Sequence, residues 1–241
     1  MLDSHTLEEE KLITEQILRR NKYTFDYKTL SLSEIDKTDI EKGVIPIGTI
    51  EFVTKTLQKL YNFDHEVPVE IPKYLQTDEF LKRDYNIVKW EDLPKTGQWF
   101  IKDVSELKSY SQLAWFGFYD IVNGLAKDRY YQVSSPFAIQ AEYRVYVINN
   151  EIINITLYNG DPLLLPDIKL IQKAVNLISF HEKWLKSYSL DIMVGKEGTA
   201  IIEIHNFTSI GLYTTIWGNE LLYAYRDGID YLLNDNTVKY M

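Results

Sequence analysis

Residues 190–213 constrain this chain more than any other stretch. Two apolar runs flank a turn through Gly195 and Gly198, a pattern that predicts a β-hairpin with residues 199–205 as its return strand. Strand side chains alternate between faces, so Glu203 and His205 are expected on one face and Ile202 and Ile204 on the other. Asp191 stands near the start of the first strand. Charge inside an apolar hairpin is unfavourable unless something neutralises it. Asp191, Glu203, His205 and Asn206 supply oxygen and nitrogen donors, and the carboxylates are of the kind that hold Mg²⁺ between protein and phosphate. For the hairpin alone the competing account is a solvated sheet face, and the rest of the chain decides between the two.

More strands are expected upstream. Residues 98–103 form a short run ending near Lys102, and residues 130–134 form another. Residues 140–148 and 151–158 flank Asn149-Asn150, a hairpin signal. Glu142 and Arg144 are two apart and share a strand face, while Tyr143, Val145 and Val147 take the other. Helical spacing appears three times. Residues 5–20 carry a Thr6–Glu9 capping-box pattern and a stripe of Leu7, Leu12, Ile13, Ile17 and Leu18. Residues 166–188 follow the same period. Residues 214–234 present Leu221, Leu222, Tyr225, Ile229 and Leu232, with Gly228 as a weak point.

The N-terminal part is less patterned. An extended run from Val44 turns into a helix near Gly48-Thr49, a place where a phosphate can sit at a helix start. Residues 64–97 are rich in charge and proline (Pro68, Pro72, Pro94) and read as connection. The expected division is therefore an N-terminal region, residues 1–95, and a main domain, residues 96–241.

Bulk properties exclude some classes. Net charge is −9, from 26 basic and 35 acidic residues, which argues against a protein built to grip a nucleic-acid backbone. With no cysteine there is no disulfide, thiolate nucleophile or Cys-based zinc site, and the default expectation is a cytoplasmic protein. The first residues lack the basic start and apolar core of a signal peptide, and no run approaches the length of a membrane span, so no membrane partner is expected. The 18 tyrosines and 5 tryptophans are enough to line a groove, although aromatics mostly serve packing. His5, His65, His181 and His205 are scattered without zinc spacing.

Charged groups recur where apolar ones fit more easily. Lys102 on a strand end can reach a phosphate, or lie on the surface. Arg144 can pair with Glu142 at small energetic gain, or act as a planar fork on phosphoryl oxygens. Asp191 and Glu203 add an acidic pair on neighbouring strands. Two cations and two or three metal-binding groups across one sheet suit a nucleoside triphosphate with Mg²⁺, since phosphoryl transfer needs mainly positioning and charge neutralisation. Neither the Gly-x-x-x-x-Gly-Lys-Ser/Thr loop nor the protein-kinase motif set is present.

The ordered set Phe100-Ile-Lys-Asp, Gln132-Val-Ser, Glu142-Tyr-Arg-Val-Tyr-Val, Asp191-Ile-Met-Val and Ile202-Glu-Ile-His-Asn-Phe resembles the ATP-grasp superfamily. More narrowly it is similar to the clade whose label abbreviates two arginines and a lysine, which shares the Glu-Tyr-Arg strand and the following Gly211-Leu-Tyr. The resemblance implies an α+β fold of two lobes, with mostly antiparallel sheets enclosing a nucleotide cleft. It implies ATP and Mg²⁺ as cofactors. By it, Lys102 holds the α/β-phosphates, and backbone near Gln132, Val133 and Ser134 bonds adenine. Glu142 and Arg144 also line the nucleotide site, with Arg144 on the terminal phosphate, and Asp191 and Glu203 ligate the metal. The implied reaction is carboxylate–amine ligation through an acylphosphate, with a small-molecule or peptide carboxylate and an amine as substrates. Many ATP-grasp enzymes end this strand with Glu-x-Asn, whereas Glu203-Ile-His205-Asn206 leaves the third donor open between His205 and Asn206. A loop over residues 109–127, with Gly117 and Gly124, is the expected phosphate cover. Tyr158, Asn159, Asp161 and residues 208–211 lie where an acceptor would bind. The competing readings are a nucleotide-binding sensor or scaffold without ligase activity, and an aromatic-rich module for carbohydrate or peptide.

Overall fold

Apolar alternation in the strands builds two antiparallel sheets. The computed structural model describes residues 1–4, 8–20, 26–66, 68–106, 109–116, 125–213, 216 and 218–234. In chain order the elements are β1 (Leu2–Asp3), α1 (Glu8–Arg20), β2 (Thr29–Leu30), α2 (Ile50–Tyr61), α3 (Asp78–Leu81), β3 (Tyr85–Lys89), β4 (Gly97–Asp103), β5 (Ser111–Phe116), β6 (Tyr130–Ser134), β7 (Ala141–Ile148), β8 (Glu151–Gly160), α4 (Ile168–His181), β9 (Tyr188–Gly195), β10 (Gly198–Asn206) and α5 (Glu220–Asn234). The first sheet has the order β3-β6-β4-β5 and the second β10-β9-β7-β8. Helices and antiparallel sheets together make an α+β protein.

The second sheet holds the main core. Tyr143, Val145 and Val147 of β7 and Leu190, Ile192 and Val194 of β9 turn one face onto α4, which contributes Ile171, Ala174, Val175 and Ile178. Each of the valine, leucine and isoleucine side chains contributes on the order of 1.5–3 kcal/mol by leaving water. Asp167 caps α4, its side chain accepting from the N–H groups of Lys169 at 2.9 Å and Leu170 at 3.2 Å. The β7–β8 turn uses Asn149 and Asn150 at φ 50° and 66°, left-handed values that asparagine tolerates better than most residues. In the first sheet Ile101, Ala114, Phe116, Tyr131 and Val133 bury one face with Leu93 and Leu125. Its other face is free to carry polar groups.

The N-terminal elements close one end of the second sheet. Leu2, Ile17 and Leu18 pack with Tyr146, Ile148 and Phe207, and with Leu221, Leu222 and Tyr225 of α5. The start of α2 is already occupied. Asp3 Oδ2 accepts from the Thr49 N–H at 3.3 Å and from the Thr49 hydroxyl at 3.0 Å, so an internal carboxylate occupies this helix start. A side chain at position 48 would overlap Asp3, which explains Gly48.

Other expectations also change. β3 lies within residues 64–97, read from sequence as connection, and it pairs with β6 in the sheet that contains β4. β5 lies within the expected phosphate-covering loop. Both are edge strands, half-exposed, and carry too little alternation to announce themselves. α4 ends at His181 and residue 188 is already strand; α5 begins only at Glu220. The Thr6–Glu9 cap, His5, Gly117, Gly124 and Thr214 fall outside the described residues or side chains.

Gly228 has a packing reason. A Cβ there would lie 2.5 Å from the Phe207 carbonyl oxygen, because α5 runs against that backbone. Alanine favours a helix over glycine by about 1 kcal/mol, yet Gly228→Ala is expected to lower the urea midpoint, since the helix must move off Phe207. An unchanged or raised midpoint would mean that the close approach is not a constraint. Among the described residues no helix is long and apolar enough to cross a membrane.

Candidate active site

Lys102 lies opposite Ser111 and Gln132 in β4, on the face away from Ile101 and the first core. That face looks toward the second sheet, and Lys102 Nζ donates to Glu203 Oε2 of β10. One ion pair thus bridges the two sheets.

Arg144 of β7 stands directly opposite Asp191 of β9. Its Nε donates to Asp191 Oδ1 at 2.8 Å and its Nη2 to Oδ2 at 2.8 Å, a two-pronged pair with both side chains buried. Nη1 donates to the Gly211 carbonyl at 3.2 Å. The guanidinium carbon lies 5.1 Å from the centre of the Tyr213 ring and 5.6 Å from that of Tyr158, and the two rings stack at 5.1 Å. Burial alone lowers the Arg144 pKa, but the Asp191 carboxylate outweighs it and the net direction is upward.

Glu203 pairs with Asp191 across the β9–β10 hairpin. Burial pushes its carboxyl pKa up, while His205 and then Lys102 pull harder and hold it well below the usual carboxylate range. His205 Nε2 lies 2.8 Å from Glu203 Oε1. One donor atom each from Asp191, Glu203 and His205 falls within 4.8 Å of the others, a grouping able to hold a cation.

The hairpin forms as expected, with one correction. Strict alternation puts Ile202 with Ile204, but the register slips between Ile201 and Glu203, and it is Ile201 and Ile204 that share the main core. Ile202 is the extra residue of a β-bulge. The bulge lets Ile201 stay in the core while Glu203 and His205 both turn to the site.

Arg83, just after α3, holds that bulge from outside. Its Nη1 donates to the carbonyls of Ile201 at 2.7 Å and Leu81 at 3.1 Å, and its Nη2 to that of Ile202 at 3.2 Å. Burial pulls its pKa down to about 10, partly offset by Tyr85 and Glu203. The Lys82-Arg83-Asp84 run gives no sign of this and reads as a solvated turn. Arg83→Met is expected to cost roughly 2–4 kcal/mol, because carbonyls of the bulge lose charged donors. Denaturant titration checks this, and a loss under about 0.5 kcal/mol, the scale of a neutral surface change, would show that the bulge stands without Arg83.

The remaining sequence candidates divide. Strand β10 continues through Asn206, which therefore faces away from His205. Its Oδ1 lies 2.9 Å from the Thr208 hydroxyl, itself 2.8 Å from Glu66 Oε1. Asn206 is thus not brought to the acidic pair. Glu142 shares the Arg144 face but accepts from the Tyr158 hydroxyl at 3.0 Å and Asn159 Nδ2 at 2.6 Å rather than from Arg144. Gln132, Val133 and Ser134 lie in the central strand β6, paired with β3 on one side and β4 on the other. Their backbone is engaged in those ladders. The connector between the sheets is the next segment, residues 135–140. Gly195 gives it room, since a side chain there would strike the Ala138 carbonyl and the Phe137 ring. Of the other histidines, His65 meets Asp64 at the surface and His181 stacks on Tyr74. A separate cavity of about 700 Å³, lined by Leu2, Tyr27, Ile45 and Leu222 among others, contains none of these site residues.

A family model described as an ATP-grasp domain, R₂K clade family 2, matches residues 80–218. No curated protein matches the chain. Among solved structures, D-alanine–D-alanine ligase from Bacillus anthracis complexed with ATP aligns at 12% identity over 97% of this chain and 94% of that one, with a TM-score of 0.48. The ATP-grasp ligase PsnB complexed with minimal precursor, Mg and ADP aligns at 14% identity over 60% of this chain, with a TM-score of 0.43, and the match spans 53% of the PsnB chain. The macrocyclase MdnC bound with precursor peptide MdnA, from Microcystis aeruginosa MRC, aligns at 15% identity over 66% and 56% of the two chains, with a TM-score of 0.41.

Proposed function

The chain belongs to the ATP-grasp domain family, R₂K clade family 2, and from that premise we propose that it is an ATP- and Mg²⁺-dependent carboxylate–amine ligase. The observation that carries this reading is the meeting of Lys102 from the first sheet with Arg144, Asp191, Glu203 and His205 from the second. Each carboxylate already has a cationic partner. A bound polyphosphate would draw those cations onto its own oxygens and release carboxylate oxygens for a dication.

The donor set fits magnesium, since Asp191 and Glu203 offer the hard oxygens that such ions prefer. Asp191 and Glu203 would hold the ion, and it would offset charge on the phosphate oxygens. Lys102 moves from Glu203 to the α/β-phosphates. Arg144 turns its planar guanidinium from Asp191 to the terminal phosphate. Residues 135–140 take the adenine-binding role first expected of Gln132, Val133 and Ser134, because they join the two sheets without belonging to either. Glu142, with Tyr158 and Asn159, borders the acceptor side.

In the reaction a substrate carboxylate oxygen takes the γ-phosphoryl group and ADP leaves. The amine nitrogen then attacks the acyl carbon, phosphate departs with the bonding pair, and the amine loses a proton as the amide forms. The substrates are a small-molecule or peptide carboxylate and an amine, without a nucleic-acid partner.

The test is ADP release by the purified protein across pairs of carboxylates and amines. Release that requires both members of a pair is the expected result. A thermal shift with Mg·ATP but no ADP from any pair would instead favour a nucleotide-binding sensor or scaffold. No thermal shift at all would overturn the reading.

A further inference from the structure

Glu142, Arg144 and Tyr146 follow one another along one face of β7, while Tyr143, Val145 and Val147 take the other face and join the main core. We propose that Tyr146 is a positioning residue for Arg144. Its hydroxyl fastens the segment after β10 so that the Tyr213 ring covers the guanidinium and keeps it at the phosphate end of the site. This rests on the nucleotide-site reading above and names what aims its arginine.

Three observations carry it. The Tyr146 hydroxyl donates to the Gly211 carbonyl at 2.9 Å and accepts the Tyr213 N–H at 2.9 Å. One buried side chain thus ties both ends of Gly211-Leu-Tyr213 to β7, two residues from Arg144. Burial pushes its pKa up to about 12, so it keeps the proton that it donates. The Tyr213 ring itself is 51% exposed, so core packing does not hold it in place. It stacks at 5.1 Å on Tyr158, whose hydroxyl donates to Glu142 Oε2 at 3.0 Å, and the Arg144 guanidinium carbon lies 5.1 and 5.6 Å from the two ring centres. A ring attracts a cation through its face and takes none of its N–H groups. The edges of Arg144 that now meet Asp191 and the Gly211 carbonyl can therefore exchange for phosphate oxygens while the rings keep the guanidinium in place.

The experiment measures, by calorimetry with Mg²⁺ present, the affinity of the purified protein for ADP and for a non-hydrolysable ATP analogue. The ratio of the two isolates the terminal phosphate. It is compared among the wild type, Tyr146→Phe, Tyr213→Leu, Tyr213→Phe and the double variant Tyr146→Phe with Tyr213→Leu. Tyr146→Phe and Tyr213→Leu should each shift the ratio against the analogue about fivefold, the scale of one net hydrogen bond, with ADP affinity unchanged. Tyr213→Phe keeps both the ring and the backbone N–H and should keep the wild-type ratio. The double variant should lose no more than either single one, because the Tyr146 hydroxyl acts through Tyr213. An unchanged ratio in Tyr213→Leu, whatever the thermal midpoint, would overturn the proposal, and this half-exposed position tests it even where Tyr146→Phe fails to fold. Losses that add in the double variant would also overturn it. Failure of the wild type to bind either nucleotide would overturn the nucleotide-site reading, and the proposal with it.

Discussion

Lys102→Ala is expected to lower ADP formation about a thousandfold, the scale of removing one charge-stabilising donor from a transition state. The loss should fall on turnover more than on folding. Lys102 projects from a sheet whose own core, built on Ile101, Tyr131 and Val133, lies on the opposite face. Glu203 keeps His205 as a partner when Lys102 is gone. Circular dichroism and the thermal midpoint should therefore change little while the steady-state rate collapses. Glu203→Ala should abolish turnover as well, because it removes the carboxylate that pairs with both Lys102 and His205. Wild-type rates in either variant would refute the assigned roles.

The second large effect concerns stability as well as rate. Asp191→Ala strands the buried Arg144, whose Nε and Nη2 lose their only carboxylate among the described residues. Breaking one side of a buried pair costs about 3–5 kcal/mol, mostly from the charge left behind. Replacing both, Asp191→Ala with Arg144→Met, should return most of that stability while turnover stays lost. Arg144→Lys should also impair turnover, since an ammonium cannot replace the two-pronged contact that a guanidinium makes with a carboxylate or a phosphate. The wild type, Asp191→Ala, Arg144→Met and the double variant can be compared by urea titration. Additive losses in the double variant would mean that the two groups do not act as a pair.

Regular alternation made much of this molecule legible. The β7–β8 and β9–β10 hairpins, the shared face of Glu142 and Arg144, and the core face of Tyr143, Val145 and Val147 all follow from a period of two applied to local sequence. The edge strands β3 and β5 were missed for the opposite reason. Their side chains are half in water, so their composition resembles a loop.

Other parts of the site depend on contacts far apart in sequence. Arg83 reaches the Ile201 carbonyl across 118 residues, and nothing in residues 199–206 announces that the strand is bulged there. Gln132, Val133 and Ser134 look like any strand until β3 is known to flank them, and only then is their backbone seen to be engaged. Tyr213 was visible as part of Gly211-Leu-Tyr, but its place against Arg144 depends on how the chain turns after β10. The Glu203, His205 and Asn206 ambiguity was open in the sequence because it turned on whether the strand runs on. It does run on, through Asn206.

The most direct test is a crystal structure of the protein with Mg²⁺ or Mn²⁺ and a non-hydrolysable ATP analogue. The phosphates should lie between the two sheets, with Lys102 moved from Glu203 onto phosphate oxygens and Asp191 and Glu203 on the metal. A nucleotide bound elsewhere, for example in the cavity lined by Leu2, Tyr27, Ile45 and Leu222, with the Lys102–Glu203 and Arg144–Asp191 pairs undisturbed, would contradict the account.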